Sequence, residues 1–149
     1  MNIPITITRL EEIYDNYDAF ILDQWGVIHD GEKGYLNAIN CIEKLYSKKK
    51  ILTIISNSSR KKEETIVRLP NLGFQSAHFH EVMTSGEMIW LSLKNKNNSE
   101  INHLGKRCFH IYDQTKNEGE LFQKGLEKYI FVKNIEDADF ILGCTPIFE

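Results

Sequence analysis

Asp23, Ser56 with Asn57, and Arg60 are the residues whose types and positions best suit chemistry. Ala19-Phe20-Ile21-Leu22 is an unbroken apolar run that ends at Asp23, and Ile51-Leu52-Thr53-Ile54-Ile55 is a second that ends at Ser56-Asn57. Runs of this kind read as strands covered on both faces. In a parallel sheet, ligands bind beyond the carboxyl ends of the strands, where these polar residues fall. An aspartate at such an end can attack a phosphoryl group, provided a divalent cation and fixed hydrogen-bond donors offset the developing charge. Magnesium suits the role because it accepts a few protein oxygens and shares the rest of its shell with phosphate and water.

The second turn has the makings of a phosphate clamp. Ser56 supplies a hydroxyl, and the backbone N–H groups of Asn57 to Ser59 precede a helix whose start can cradle an anion. Arg60, Lys61 and Lys62 lie in its first turn, where positive side chains oppose the helix dipole unless an anion is bound. Each signal also has a plainer reading: Asp23 as a turn or cap residue, Ser58 or Ser59 as an N-cap, and the basic residues as a solvated helix face. His78 and His80 alternate along a predicted strand, but no third ligand accompanies them.

These positions need a scaffold. Leu36, Ile39, Ile42, Leu45 and Tyr46 recur at helical spacing between the two runs, which makes a βαβ unit with parallel strands. The pattern then repeats, with a helix over 60–69 stopped by Pro70, a weaker strand over 78–83 and a helix over 86–93. The polar stretch KNKNNSEINHLG, 94–105, marks a boundary. Beyond it, 108–112 and 140–144 read as strands, 121–128 as a helix and 129–132 as extended. The fold class is α/β.

Composition narrows the partners. With 149 residues, 42% hydrophobic, 26% charged and a net charge of -3, the chain has the balance of an ordinary globular domain and no electrostatic case for nucleic acid. No run of apolar residues is long enough to span a membrane, and no basic start leads into an apolar leader. Cys41, Cys108 and Cys144 form neither a disulfide framework nor a paired metal motif, so a cytoplasmic location is expected.

Taken together, ILDQWGVIHDG, IISNSSR, LPNLGF and VMTSGEMIWLSL resemble the haloacid dehalogenase-like hydrolase superfamily, specifically its branch of p-nitrophenyl-phosphatase-like proteins. Asp23, Gly26, Val27 and Asp30-Gly31 match the first motif, and Ser56-Asn57 the second. The resemblance implies a Rossmann-like parallel core, here incomplete, over residues 1–97, a linker at 98–105 and the beginning of an α/β cap domain over 106–149. It also implies that Asp23 is nucleophile and magnesium ligand, and that the backbone carbonyl of Trp25 is a second ligand. By the same resemblance Ser56 and Asn57 would hold the phosphate of a small phosphorylated molecule, and Arg60, from its place in the first helical turn, is a further candidate contact.

Two departures bear on activity. Phosphatases of the superfamily place a second aspartate two positions after the nucleophile as general acid and base, and that position is Trp25. An aromatic residue there also resembles haloacid dehalogenases, whose leaving group needs no proton. The family's later lysine and acidic metal motif lie beyond the cap and have no counterpart in this sequence, so weak or no turnover is expected, with self-association through the incomplete sheet or cap. The reading from a different class is a non-catalytic phosphate- or nucleotide-binding remnant.

Overall fold

The computed structural model describes residues 6–95 and 101–144. Two compact units emerge, one formed by Met1–Ile55 with Ile66–Val82 and the other by Ser56–Thr65 with Met83–Glu149. Residues 98–100 of the expected linker and the end of the chain at 145–149 lie outside the described residues.

The first unit is built on β1 (Ala19–Leu22) and β2 (Ile51–Ser56), joined by α1 (Leu36–Ser47). The strands pair in parallel, with Ala19 opposite Ile51 and Leu22 opposite Ile54. β3 (Glu81–Thr84) completes a three-stranded sheet in the order β1-β2-β3. The expected α/β architecture with parallel strands is therefore present. Leu52 and Ile54 are fully buried against Ile42 and Leu45 of α1, with Leu69, Leu72, Phe74 and Phe79 closing the core.

The opposite row of the sheet departs from expectation. Ile21, Ile51 and Ile55 alternate with the buried positions and are 70%, 45% and 49% exposed, so these strands are covered on one face rather than two. Strand residues point alternately to opposite faces, and α1 packs on only one of them.

Pro70 does not simply end a helix. α2 (Lys62–Arg68) gives way to a tighter 3₁₀ turn, Leu69–Leu72, with proline near its start, where a missing N–H costs nothing. Gly73 closes that turn at φ 91°, a left-handed conformation that favours glycine. The strand expected over 78–83 begins only at Glu81: His78 ends a 3₁₀ turn and stacks on Tyr46 at 4.3 Å, while His80 precedes the strand. The two histidines therefore do not line one strand face.

In the second unit, α3 (Ser85–Asn95) is followed by β4 (Arg107–Ile111), α4 (Glu118–Gln123), β5 (Ile130–Val132) and β6 (Phe140–Gly143). β4 is central, flanked by β5 and β6, and both pairings are parallel. α4 starts three residues before the expected helix and stops by Gln123, because Gly125 turns the chain at φ 86°. Trp90, Leu93, Phe122, Leu126 and Tyr129 form the core. Among the described residues, no helix is long and apolar enough to cross a membrane.

His110 of β4 lies in this interior, with Nε2 2.8 Å from Cys144 Sγ and Nδ1 3.1 Å from the Gln123 amide. Burial lowers its pKa to about 4 and pushes the Cys144 thiol up to about 11, so the pair is neutral at pH 7. A histidine whose folded pKa lies below its unfolded value leaves stability intact above about pH 6.5 and removes it as pH falls toward 4. Urea unfolding should therefore show stability falling in that window by up to about 1.4 kcal/mol per pH unit, with a smaller slope in His110→Phe. Equal slopes in the two proteins would contradict a neutral, buried His110.

Candidate active site

Asp23 and Trp25 belong to the first unit, and Ser56, Asn57 and Arg60 to the second. Asp23 directly follows β1 and is exposed, and its Oδ1 accepts the Gln24 N–H at 2.7 Å. Beyond it the chain folds into a tight loop. The Gln24 carbonyl accepts N–H groups from Val27 and Ile28 at 3.1 and 2.9 Å, and the His29 carbonyl accepts that of Gly26 at 2.8 Å. Gly26 is needed there, because its φ is 77°.

Buried His29 organises this loop, a role that the sequence reading missed. Its Nδ1 accepts the Gly31 N–H at 3.0 Å, which places the ring proton on Nε2, 3.4 Å from Gln24 Oε1. Burial and the charge of Arg68 lower its pKa, which preserves the acceptor at Nδ1. The buried Nε2 of Gln24 has no hydrogen-bond partner among the described residues. Trp25 is 74% exposed, and a Cβ added at Gly31 would meet the edge of its indole at 3.6 Å.

The second turn is held from below. Ser56 is the last residue of β2 and is buried, and its Oγ accepts the Ser58 N–H at 3.2 Å, which leaves its own O–H available to donate. Ser58 Oγ in turn accepts the Arg60 N–H at 3.3 Å. Asn57 is exposed. The guanidinium of Arg60 is already engaged: Nε donates to Glu118 Oε1 at 3.0 Å, and Nη2 donates to the same oxygen. Lys61 is not a free surface cation either, since its Nζ sits 4.2 Å from the centre of the Trp90 ring.

Thr84, Gly86 and Glu87 support this turn. Thr84 caps α3 by accepting the Glu87 N–H at 2.9 Å, and its hydroxyl donates to the Arg60 carbonyl. Glu87 is 3% exposed and caps α2 instead of its own helix, accepting the Lys62 N–H at 3.0 Å. The spacing Thr84-x-x-Glu87 is the sequence signature of a capping box, so the signal was present in TSGE. Gly86 allows the close approach, because a Cβ there would lie 2.0 Å from the Ser59 carbonyl oxygen.

The donor set suits a hard cation only in part. The Asp23 carboxylate and the Trp25 carbonyl are oxygen ligands of the kind magnesium accepts, with water and phosphate filling its octahedron. Among the described residues, no cluster of three His, Cys, Asp or Glu side chains could hold a metal by itself.

Comparison with known proteins agrees with this architecture. Residues 20–126 match the haloacid dehalogenase-like hydrolases, and the chain belongs to that family. A haloacid dehalogenase-like hydrolase from Brucella suis has a similar structure, with TM-score 0.73 and 24% identity over 93% of this chain and 46% of that protein. A 4-nitrophenylphosphatase from Thermotoga maritima is similar at TM-score 0.55 and 21% identity, over 88% of this chain and 46% of that protein. The chain therefore spans about half the length of these relatives. No curated protein matches it.

Replacing Gly86 by alanine tests the support of the second turn. In an unconstrained helix the change would stabilise by about 1 kcal/mol through propensity. Here the clash with Ser59 should reverse the sign and cost about 1–3 kcal/mol, read by urea denaturation. A stabilised variant would mean that the two segments are not in contact.

Proposed function

We propose that the complete protein is a magnesium-dependent phosphatase of small phosphoric monoesters, acting through an aspartyl phosphate on Asp23. The observation that carries this reading is the placement of Asp23 directly after β1, a strand paired in parallel with β2, within the matched family segment. The name of the Thermotoga relative is consistent with it. In this reading the segment from Lys106 onward belongs to a cap, which would contribute to substrate choice.

In this reading Asp23 uses Oδ2, because Oδ1 is held by the Gln24 N–H. The carboxylate oxygen bonds to phosphorus as the ester P–O bond breaks, and Ser56 with the Asn57 amide steadies the phosphoryl oxygens. Water then attacks the acyl phosphate at phosphorus, releasing inorganic phosphate and the free carboxylate. Magnesium, held by Asp23 and the Trp25 carbonyl, would neutralise charge on the phosphoryl group.

The departing alkoxide takes its proton from solvent, since the Trp25 indole is no proton shuttle. An indole where the family's phosphatases carry an acid/base carboxylate favours the second reading, a phosphate-binding protein without turnover. The two differ in outcome: binding alone would raise the melting temperature with phosphate or magnesium and release nothing.

Hydrolysis of p-nitrophenyl phosphate with magnesium should be slow in the native protein and abolished in Asp23→Asn. Equal rates in both proteins would exclude Asp23 as nucleophile. Introducing a carboxylate by Trp25→Asp should raise a rate limited by protonation by about 10²-fold, and p-nitrophenyl esters, whose leaving group is already acidic, should gain less than alkyl esters.

A further inference from the structure

The phosphate assignment leaves Arg60 with a competitor. Its guanidinium donates through both Nε and Nη2 to a single oxygen of Glu118, and each side chain is 28% exposed. The pair lines a water-sized cavity of about 10 Å³ together with Ser59, Tyr112, Asp113 and Cys144. Asp113 is committed elsewhere, to Thr115 and, at 3.0 Å, to Lys116. Glu64 feels both charges of the pair, and burial raises its pKa, which disfavours a second carboxylate beside Glu118.

We infer that Glu118 is a specificity-determining residue, a built-in carboxylate that occupies Arg60 and yields it to a phosphoryl dianion but not to a carboxylate monoanion. The inference rests on the assignment of Arg60 to phosphate binding. A free acetate ion brings the same group and the same charge as Glu118, and must displace a partner tethered at an effective concentration in the millimolar range or above. A phosphoryl dianion brings a second charge. It can also present separate oxygens to Nε and Nη2, the forked geometry that one Glu118 oxygen does not provide. Exchange of Glu118 for phosphate therefore gains both charge and geometry, whereas exchange for acetate gains neither.

The test is the rise in melting temperature on titration with sodium phosphate or sodium acetate, at about pH 8, where phosphate is dianionic, and at constant ionic strength. The native protein should respond to phosphate and not to acetate. Glu118→Gln should bind phosphate about fivefold more tightly and begin to respond to acetate. Adding Arg60→Ala to that variant should erase both gains. Should Glu118→Gln fail to fold, Glu118→Asp keeps the charge on a shorter arm, and a smaller tightening is expected.

Phosphate affinity unchanged in Glu118→Gln, but weakened by Arg60→Ala, would overturn the inference and leave the phosphate site standing. A native response to acetate equal to that of phosphate would also overturn it. No phosphate response in any of these proteins would remove the phosphate assignment itself, and the inference with it.

Discussion

The parallel register of β1 and β2 is the constraint on which the candidate chemistry depends. Four successive pairings, from Ala19 with Ile51 to Leu22 with Ile54, determine where each strand runs out and its polar successor begins. The register is held because shifting one strand by a single residue would exchange its faces. Such a slip in β2 would bring the exposed Ile51 and Ile55 toward α1 and send the fully buried Leu52 and Ile54 outward. Packing of Leu52 and Ile54 on Ile42 and Leu45 thus fixes the strand ends, although none of these residues has any chemistry of its own.

Beyond the strand ends the two turns are built by different means. The Asp23 loop folds upon itself, around the carbonyls of Gln24 and His29 and the neutral imidazole of His29. The Ser56 turn depends on distant sequence, because Thr84 and Glu87 bind its backbone and Gly86 makes room for it. A helix start whose N–H groups are partly capped by a buried carboxylate has fewer donors left for a ligand. In the proposed reading, anion recognition at this turn would therefore rest more on the side chains of Ser56 and Arg60 than on backbone N–H groups.

Local pattern made the strands, α1 and the two motif turns legible, since apolar runs and helical spacing depend only on near neighbours. The extra turn at Leu69–Leu72, the late start of β3 and the short α4 were not legible, because proline placement, the stacking of His78 on Tyr46 and a left-handed glycine decide them. The sheet read as doubly covered because Ile21, Ile51 and Ile55 are as apolar as their buried neighbours, and sequence cannot tell a covered row from an exposed one. Glu118 carries no motif, and only folding brings it to Arg60 across 58 residues of chain.

Membership of a hydrolase family and competence in hydrolysis are separable here for a physical reason. The fold requires apolar strands in register and a loop that closes through Gly26 and His29, and Trp25 contributes to neither with its side chain, which lies 74% exposed over Gly31. Position 25 can therefore change from a proton donor to an indole without loss of the architecture that identifies the family. The position of the proposed nucleophile is equally undemanding, since exposed Asp23 gives the loop a single local acceptor, for the Gln24 N–H, among the described residues. In this chain the residues that hold the fold and those proposed to set the rate overlap little, buried Ser56 at the end of β2 being the exception, so competence in hydrolysis does not follow from the fold alone.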